Sequence, residues 1–297
     1  MSFMVNHGNH NKIILGTVQM GLDYGINNKN GKIPFEESEK ILNKSYLSGI
    51  NTLDTAEVYG DAHSVIGRFH ENNPSIKFNI NTKIPNYINL NQLEFKIENY
   101  LDELRVDHLE TIMFHSFDSY LKNKEVLTKL ISLKNNGIIK NIGVSVYKNA
   151  EIENLLIDDS ISVVQLPFNL LDNLNLKESL FERLKEKNKL IHTRSAFLQG
   201  LFFKDLHDKN RIVQQLKAEL GWLKNLLLEY NCSIEQLAIS YCFMNKEIDN
   251  FILGIDSLDQ LNINLQAAKF NLTNELLEKI HEIKISDVNI LNPSLWN

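Results

Sequence analysis

Four side chains that together could protonate a carbonyl oxygen occur in order along the chain: Asp54 and Tyr59 in DTAEVYG, Lys83 in NTKIP, and His115 in MFHSFD. A tyrosine of pKa about 10 is a poor acid at neutral pH. A nearby ammonium favours the phenolate and draws that pKa toward the working range. An aspartate paired with the lysine would keep it charged and aimed. A histidine could orient the carbonyl or share its proton. These are the parts needed to protonate oxygen while a hydride arrives at carbon. Each residue alone has an ordinary structural use: a packed aromatic, a structural ion pair, a hydrogen-bonded core histidine. The chemical reading rests on their joint placement.

That placement depends on the elements between them. Short apolar, β-branched runs alternate with longer segments of helical period. The runs predict strands over 12–16, 51–54, 78–83, 111–115, 141–145, 163–167, 190–194 and 251–255. They are mostly apolar rather than alternating, as expected of parallel strands buried on both faces. Eight such strands are the closure number of the α/β (β/α)8 TIM barrel. Leu93, Ile97, Tyr100, Leu101 and Leu104 form one helical stripe. Ser233 with Gln236 reads as a capping box ahead of the stripe Ile234, Leu237, Ala238, Tyr241 and Cys242. Ser48-Gly49 and Asn136-Gly137 each close a helix just before a strand. The stretch from about 200 to 232 exceeds one βα unit and predicts an extra loop over the active-site face plus a long helix. A doubly wound open sheet would carry GxGxxG after its first strand. The glycines of GTVQMGLDYG do not fit that spacing. The expectation is a flexible tail over 1–11 and one barrel domain over 12–297. Active sites of this barrel lie at the C-terminal strand ends. There the second, third and fourth strands deliver Asp54 with Tyr59, Lys83, and His115 to one rim.

The chain has 297 residues, 43% hydrophobic and 23% charged, with a formal net charge of −6. This is the balance of an ordinary globular protein. It argues against a broad electrostatic grip on nucleic acid or anionic lipid, while leaving room for a local phosphate pocket. Cys232 and Cys242 sit in no CxxC or His/Cys cluster, so buried helix packing in a reducing compartment is expected of them. The opening MSFMVNHGNHNK has no apolar core of a signal peptide, and no run of 18 apolar residues occurs. A cytoplasmic protein that neither spans nor enters a membrane is expected. His7 and His10 lack further ligands, so no metal is expected at the tail.

DTAEVYG, the lysine of NTKIP and the histidine of MFHSFD resemble the catalytic tetrad of the aldo-keto reductases. The likeness runs from LGTVQMG near residue 15 to GIDSLDQLNINLQA near residue 268. The resemblance implies a (β/α)8 barrel and a nicotinamide cofactor, NADP(H) or NAD(H), bound extended without a Rossmann domain. It also implies reversible reduction of a small-molecule carbonyl, with no metal. Under it, Tyr59 is the general acid, Lys83 tunes it, Asp54 pairs with Lys83, and His115 places the carbonyl. Gly16 and Thr17 match the first-strand turn beside the nicotinamide, and Ser145 and Gln165 match positions that hold its carboxamide. Arg194, Ser195, Phe197, Leu198 and Gly200, in RSAFLQGLF, match a loop that covers the pyrophosphate through backbone groups. Gly254, Ser257 and Asn264 match the last cofactor loop.

The departures are specific. Val146 stands where many relatives have Asn, and Asp256 and Gln260 lie where relatives commonly hold the 2′-phosphate of NADPH with Lys or Arg. A carboxylate repels that phosphate and can accept from a ribose hydroxyl, so usable activity with NADH is expected, with the preference open. LGTVQMGLDYGI and RSAFLQGLF further resemble a bacterial branch associated with cell-surface polysaccharide synthesis, which implies a sugar or nucleotide-linked sugar substrate. Candidate pocket walls are Met20, Tyr24, Tyr87, Phe117, Phe197 and Trp296. Two other readings stand beside this one. Lys83 could form a Schiff base in an aldolase, with Asp54 shuttling protons. Alternatively, the chain could be a cofactor-binding regulatory subunit with little turnover. A metal-dependent barrel hydrolase fits poorly, since no HxH pair follows the first strand.

Overall fold

The computed structural model describes residues 10–26, 28 and 30–296. Its strands are β1 Ile13–Gly16, β2 Thr52–Asp54, β3 Asn79–Ile84, β4 Leu109–Phe114, β5 Ile139–Ser145, β6 Val163–Pro167, β7 Leu190–Arg194 and β8 Asn250–Gly254. They are parallel and close a barrel in chain order, β8 pairing with β1. Helices lie between successive strands, making one (β/α)8 domain. The strand cores are buried on both faces, which is why their sequences run apolar without alternation.

The helix signals act as their chemistry requires. Helix Leu93–Leu104 buries Leu93, Ile97, Tyr100 and Leu104. At helix Ile234–Met244, Gln236 N donates to Ser233 Oγ (3.2 Å) and Ser233 N donates to the Gln236 side chain (2.9 Å). Gly49 and Gly137 take φ of 89° and 78°, the left-handed conformation that ends a helix cheaply only at glycine. The long stretch after β7 holds the turn Leu198–Phe203 and the helices Arg211–Gln215 and Lys217–Glu229.

Two boundaries shift. β4 ends at Phe114, so His115 stands just past the strand rather than at its last position. Residues 1–9, with His7, lie outside the described residues. His10, assigned to the tail, is buried. Its Nδ1 lies 3.0 Å from Ser48 O and its Nε2 lies 3.2 Å from Leu265 O. Both carbonyls belong to helix ends that lack intrahelical partners, so the ring packs where donors are wanted. The packed chain therefore begins by residue 10.

Register sets the rim. Gly16 pairs with Asp54 and with Gly254, Asp54 with Asn81, and Ser145 with Gln165. Among the described residues, no helix is long and apolar enough to cross a membrane.

Candidate active site

The four rim residues converge. Asp54 ends β2, and Lys83 lies near the end of β3 with only 2% exposure. Lys83 Nζ donates to Asp54 Oδ1 at 2.5 Å and to Thr55 O at 3.0 Å. The other carboxylate oxygen, Oδ2, accepts from Gln165 Nε2 across the barrel at 2.8 Å. Lys83 Nζ stands 5.2 Å from the centroid of the Tyr59 ring. His115 meets that ring edge-on, with centroids 6.0 Å apart and planes at 89°.

Tyr59 is fixed by its backbone. It sits in the turn between β2 and helix Ala62–Asn72, where Tyr59 N donates to Ala56 O (3.0 Å) and Tyr59 O accepts from Ala62 N (3.1 Å). Gly60 follows at φ 56°, and a Cβ there would meet Gly21 O at 2.4 Å. A Cβ on Gly21 would lie 1.7 Å from Tyr59 O. The two glycines let the β1 and β2 loops touch main chain to main chain, and that contact seats Tyr59.

The electrostatics correct one expectation. Burial pushes the Tyr59 phenol above its usual pKa, and the Lys83 ammonium offsets this only in part. The lysine does not bring Tyr59 into the neutral range, because desolvation penalises the phenolate more than one ammonium helps it. Tyr59 therefore holds its proton at neutral pH. Burial works against the Lys83 ammonium too, but Asp54 and then Tyr59 outweigh it, and its pKa is raised. A lysine held as ammonium has no lone pair for a carbonyl carbon, so this environment favours an electrostatic over a nucleophilic use of Lys83. His115 is pushed down to about 4 by burial, then by Lys83. It is neutral near pH 7, with a ring that can donate or accept one hydrogen bond.

These residues face one cavity of about 820 Å³, within the range of small-molecule and cofactor sites. Of the expected cofactor residues, Gly16, Thr17, Ser145, Gln165, Arg194, Ser195, Phe197, Gly200, Gly254, Asp256, Gln260 and Asn264 line it. Leu198 does not: it is wholly buried in the core. Ser257 does not either: its Oγ caps helix Leu258–Ala267, accepting from Gln260 N at 3.2 Å.

Of the expected walls, Tyr24 and Phe197 line the cavity and four others do not. Met20 is buried against a separate hollow of about 310 Å³ with Lys32, Asp61 and Arg68. Tyr87 is 89% exposed. Phe117 packs on Tyr120, centroids 5.8 Å apart. Trp296 donates from Nε1 to Ile290 O at 2.8 Å. Sequence reading missed Gln19, Tyr147, Gln199 and Glu235, all of which face the cavity. Tyr147 stands two residues past the end of β5, on the same C-terminal rim of the barrel. Gln199 Nε2 donates to Tyr24 Oη at 2.9 Å and ties the loop after β7 to the loop after β1.

The cavity fits an extended anionic cofactor on two counts. Asp256 Oδ1 is buried without a hydrogen-bond partner and wants a donor. Ser195, Leu198, Gln199 and Gly200 take φ of 66°, 47°, 53° and 88°. Left-handed backbone at non-glycine residues concentrates at ligand clamps. Among the described residues, no three His, Cys, Asp or Glu gather as a metal site.

The chain has relatives of known shape and name. It superposes on an aldo-keto reductase from Bacillus halodurans, in its holo form, with a TM-score of 0.76 over 93% of each chain. Sequence identity there is 18%, so the likeness shows the fold. The chain is 22% identical over 289 residues, 84% of each protein, to a Schizosaccharomyces pombe protein proposed as a voltage-gated potassium channel subunit beta. It is 30% identical over 128 residues to D-arabinose 1-dehydrogenase of Saccharomyces cerevisiae, which is 39% of this chain and 37% of that one. The family model of the aldo/keto reductases matches residues 12–285, every barrel strand and all four rim residues included, and the chain belongs to that family.

Proposed function

We propose that this chain reduces an aldehyde or ketone to an alcohol, reversibly, with Tyr59 giving the proton to the carbonyl oxygen. Family membership supports a nicotinamide-dependent oxidoreductase acting on carbonyls. The observation that carries the residue-level reading is the seating of Tyr59 between Lys83 and His115 at the floor of one cavity. When bound, the nicotinamide supplies the hydride to the carbonyl carbon. Ser145 and Gln165 face the same floor and are the side chains suited to hold its amide. The loop from Ser195 to Gly200 is suited to the pyrophosphate, and the Asp256 end to the ribose beyond it.

The chain's own steps are few. Neutral His115 orients the carbonyl oxygen toward the phenol. The phenol gives up its proton as negative charge grows on that oxygen. The Lys83 ammonium, held by Asp54, stabilises the phenolate left behind. In the oxidising direction the same phenolate takes the proton back. The unpartnered Asp256 Oδ1 supports NADH over NADPH. The dehydrogenase relative supports sugar carbonyls among the substrates.

The experiment is a panel of carbonyls and sugars followed by cofactor absorbance, with Tyr59→Phe alongside. General acids contribute about 10²- to 10⁴-fold, so turnover should drop by that much while cofactor still binds. Wild-type turnover in Tyr59→Phe would overturn the reading. The likeness to the proposed channel subunit supports a second reading, a cofactor-binding regulatory subunit. A stoichiometric partner in a pull-down, with negligible turnover on the whole panel, would favour it.

A further inference from the structure

Gly21 and Gly60 hold the Tyr59 turn from the side of the β1 loop. A second grip on the same turn comes from helix Leu93–Leu104, through Glu57, two residues before Tyr59. Past the end of β2 the backbone stays paired with β3. Thr55 N donates to Asn81 O (2.8 Å) and Glu57 N donates to Lys83 O (3.3 Å). The Glu57 carboxylate then takes a donor from the helix on each oxygen. Lys96 Nζ donates to Oε1 at 2.6 Å, and Tyr100 Oη donates to Oε2. Lys96 and Tyr100 stand four residues apart, on one face of that helix.

The anchor is itself well seated. Tyr100 is 4% exposed, and its ring meets His63 edge-on with centroids 5.1 Å apart. His63 Nε2 lies 2.9 Å from the hydroxyl of Thr82, the neighbour of Lys83. A Cβ on Gly67 would lie 1.8 Å from Glu103 O, so helices Ala62–Asn72 and Leu93–Leu104 touch main chain to main chain. Glu57, Lys96, Tyr100 and His63 all lie outside the lining of the cavity. The Glu57 and Lys96 side chains are 33% and 27% exposed, and an ion pair this open to water contributes little to stability. What the grip fixes is position. Tyr59 N donates to Ala56 O at 3.0 Å and closes a turn with Glu57 inside it, so a shift of Glu57 carries to Tyr59.

We propose that Glu57 is a positioning residue for the proton transfer: Lys96 and Tyr100 hold its carboxylate, and through it the Tyr59 phenol is kept close to the Lys83 ammonium. This rests on the reading of Tyr59 as the acid, and it places part of that acid's control on an outer helix.

The test reads the Tyr59 phenol itself. Lys83, Asp54 and Arg194 act on it by charge, and His115 and Tyr24 are its other titratable neighbours. Tyr100→Phe leaves all of these and the Glu57–Lys96 pair in place and removes one donor. A retreat of the phenol by about 1 Å weakens the ammonium's pull by about 0.4 pH unit at an effective dielectric of about 20. The alcohol-oxidation limb should therefore move to higher pH in Tyr100→Phe and in Glu57→Ala. Loss of the Glu57 charge alone would move it to lower pH, so the direction separates position from charge. In Glu57→Ala, kcat should fall about ten- to hundredfold. NADH binding should stay within about twofold of wild type. Lys96→Arg should regain most of what Lys96→Met loses. An unmoved limb in Tyr100→Phe and Glu57→Ala would overturn the inference, even with kcat lowered, since that is a structural role alone. Labelling with 3-fluorotyrosine needs no turnover. The fluorine resonance missing from Tyr59→Phe belongs to Tyr59, and its titration should move upward in Tyr100→Phe. A titration that stays in place defeats the inference. Wild-type turnover in Tyr59→Phe would sink the acid reading instead, and the fluorine titration would still decide whether Glu57 holds the phenol.

Discussion

Gln165 and Lys83 grip opposite oxygens of one carboxylate: Asp54 Oδ1 takes the ammonium at 2.5 Å, and Oδ2 takes the Gln165 amide at 2.8 Å. Asp54 is only 4% exposed, so water cannot replace a lost donor freely. Gln165→Leu leaves one oxygen of a buried carboxylate without a partner. The expected cost is about 1.5–3 kcal/mol in urea unfolding. Activity should fall as well, because a carboxylate free to turn holds Lys83 less firmly under Tyr59. A Gln165→Leu protein as stable as wild type would show that Asp54 finds its donors elsewhere.

The pH profile follows from the same charges. Tyr59 is shifted upward by burial, so its phenol stays protonated through neutral and mildly alkaline pH. His115, lowered to about 4, stays neutral over that range. Carbonyl reduction should therefore run flat from about pH 6 to 9, with no inflection near the ordinary histidine value of about 6.5. Alcohol oxidation needs the phenolate and should climb with pH across the same window. Lys83→Met removes the main influence that lowers Tyr59, so its oxidation limb should move to higher pH. A reduction rate that halves near pH 6.5, lost in His115→Gln, would instead assign the proton to the imidazole.

Cofactor choice turns on Asp256. Its Oδ2 accepts from Gln260 Nε2 at 3.3 Å, and Gln260 Oε1 accepts from Asp256 N at 2.9 Å. Gln260 thereby fixes the carboxylate and leaves Oδ1 buried without a donor. A ribose hydroxyl would satisfy that oxygen, and a 2′-phosphate would be repelled. Wild type should favour NADH, and Asp256→Ala should raise kcat/KM for NADPH about tenfold, a change of about 1.4 kcal/mol. Initial rates with both cofactors decide it. A wild-type preference for NADPH would defeat the argument.

The rim was legible because strands announce themselves as short apolar runs and the barrel puts chemistry at their ends. Asp54 and Lys83 follow from that rule alone, and His115 falls one residue past its strand. What the rule omits is direction and distance. Gln165 reaches Asp54 across the barrel from a strand 111 positions away in sequence, and nothing local marks that bond. Tyr87 and Phe117 are aromatic and near the rim, yet one points to solvent and the other onto Tyr120. A side chain in a loop carries no periodicity to reveal its facing. The pKa of Tyr59 was misjudged for a related reason. Spacing shows that an ammonium is near, but not how completely the phenol is shut from water, and burial decides the sign.

Gly21 offers the sharpest test of how the fold positions the acid. Its φ is not in the left-handed region, so alanine meets no backbone strain of its own there. The obstacle is steric: a Cβ would sit 1.7 Å from Tyr59 O and 2.6 Å from Ala62 N. Both are main-chain atoms, which cannot swing aside as a side-chain tip can. The turn that carries Tyr59 must retreat by about 1 Å or more, and a misplacement of that size can cost about 10²-fold in rate. Gly21→Ala should therefore lower kcat about 100-fold and reduce stability, while NADH binding along the β7 and β8 loops changes little. Tyr59→Phe in the Gly21→Ala background should then cost far less than it does in wild type, since the acid is already out of place. Full additivity of the two losses would mean that Gly21 acts on the fold without acting through Tyr59.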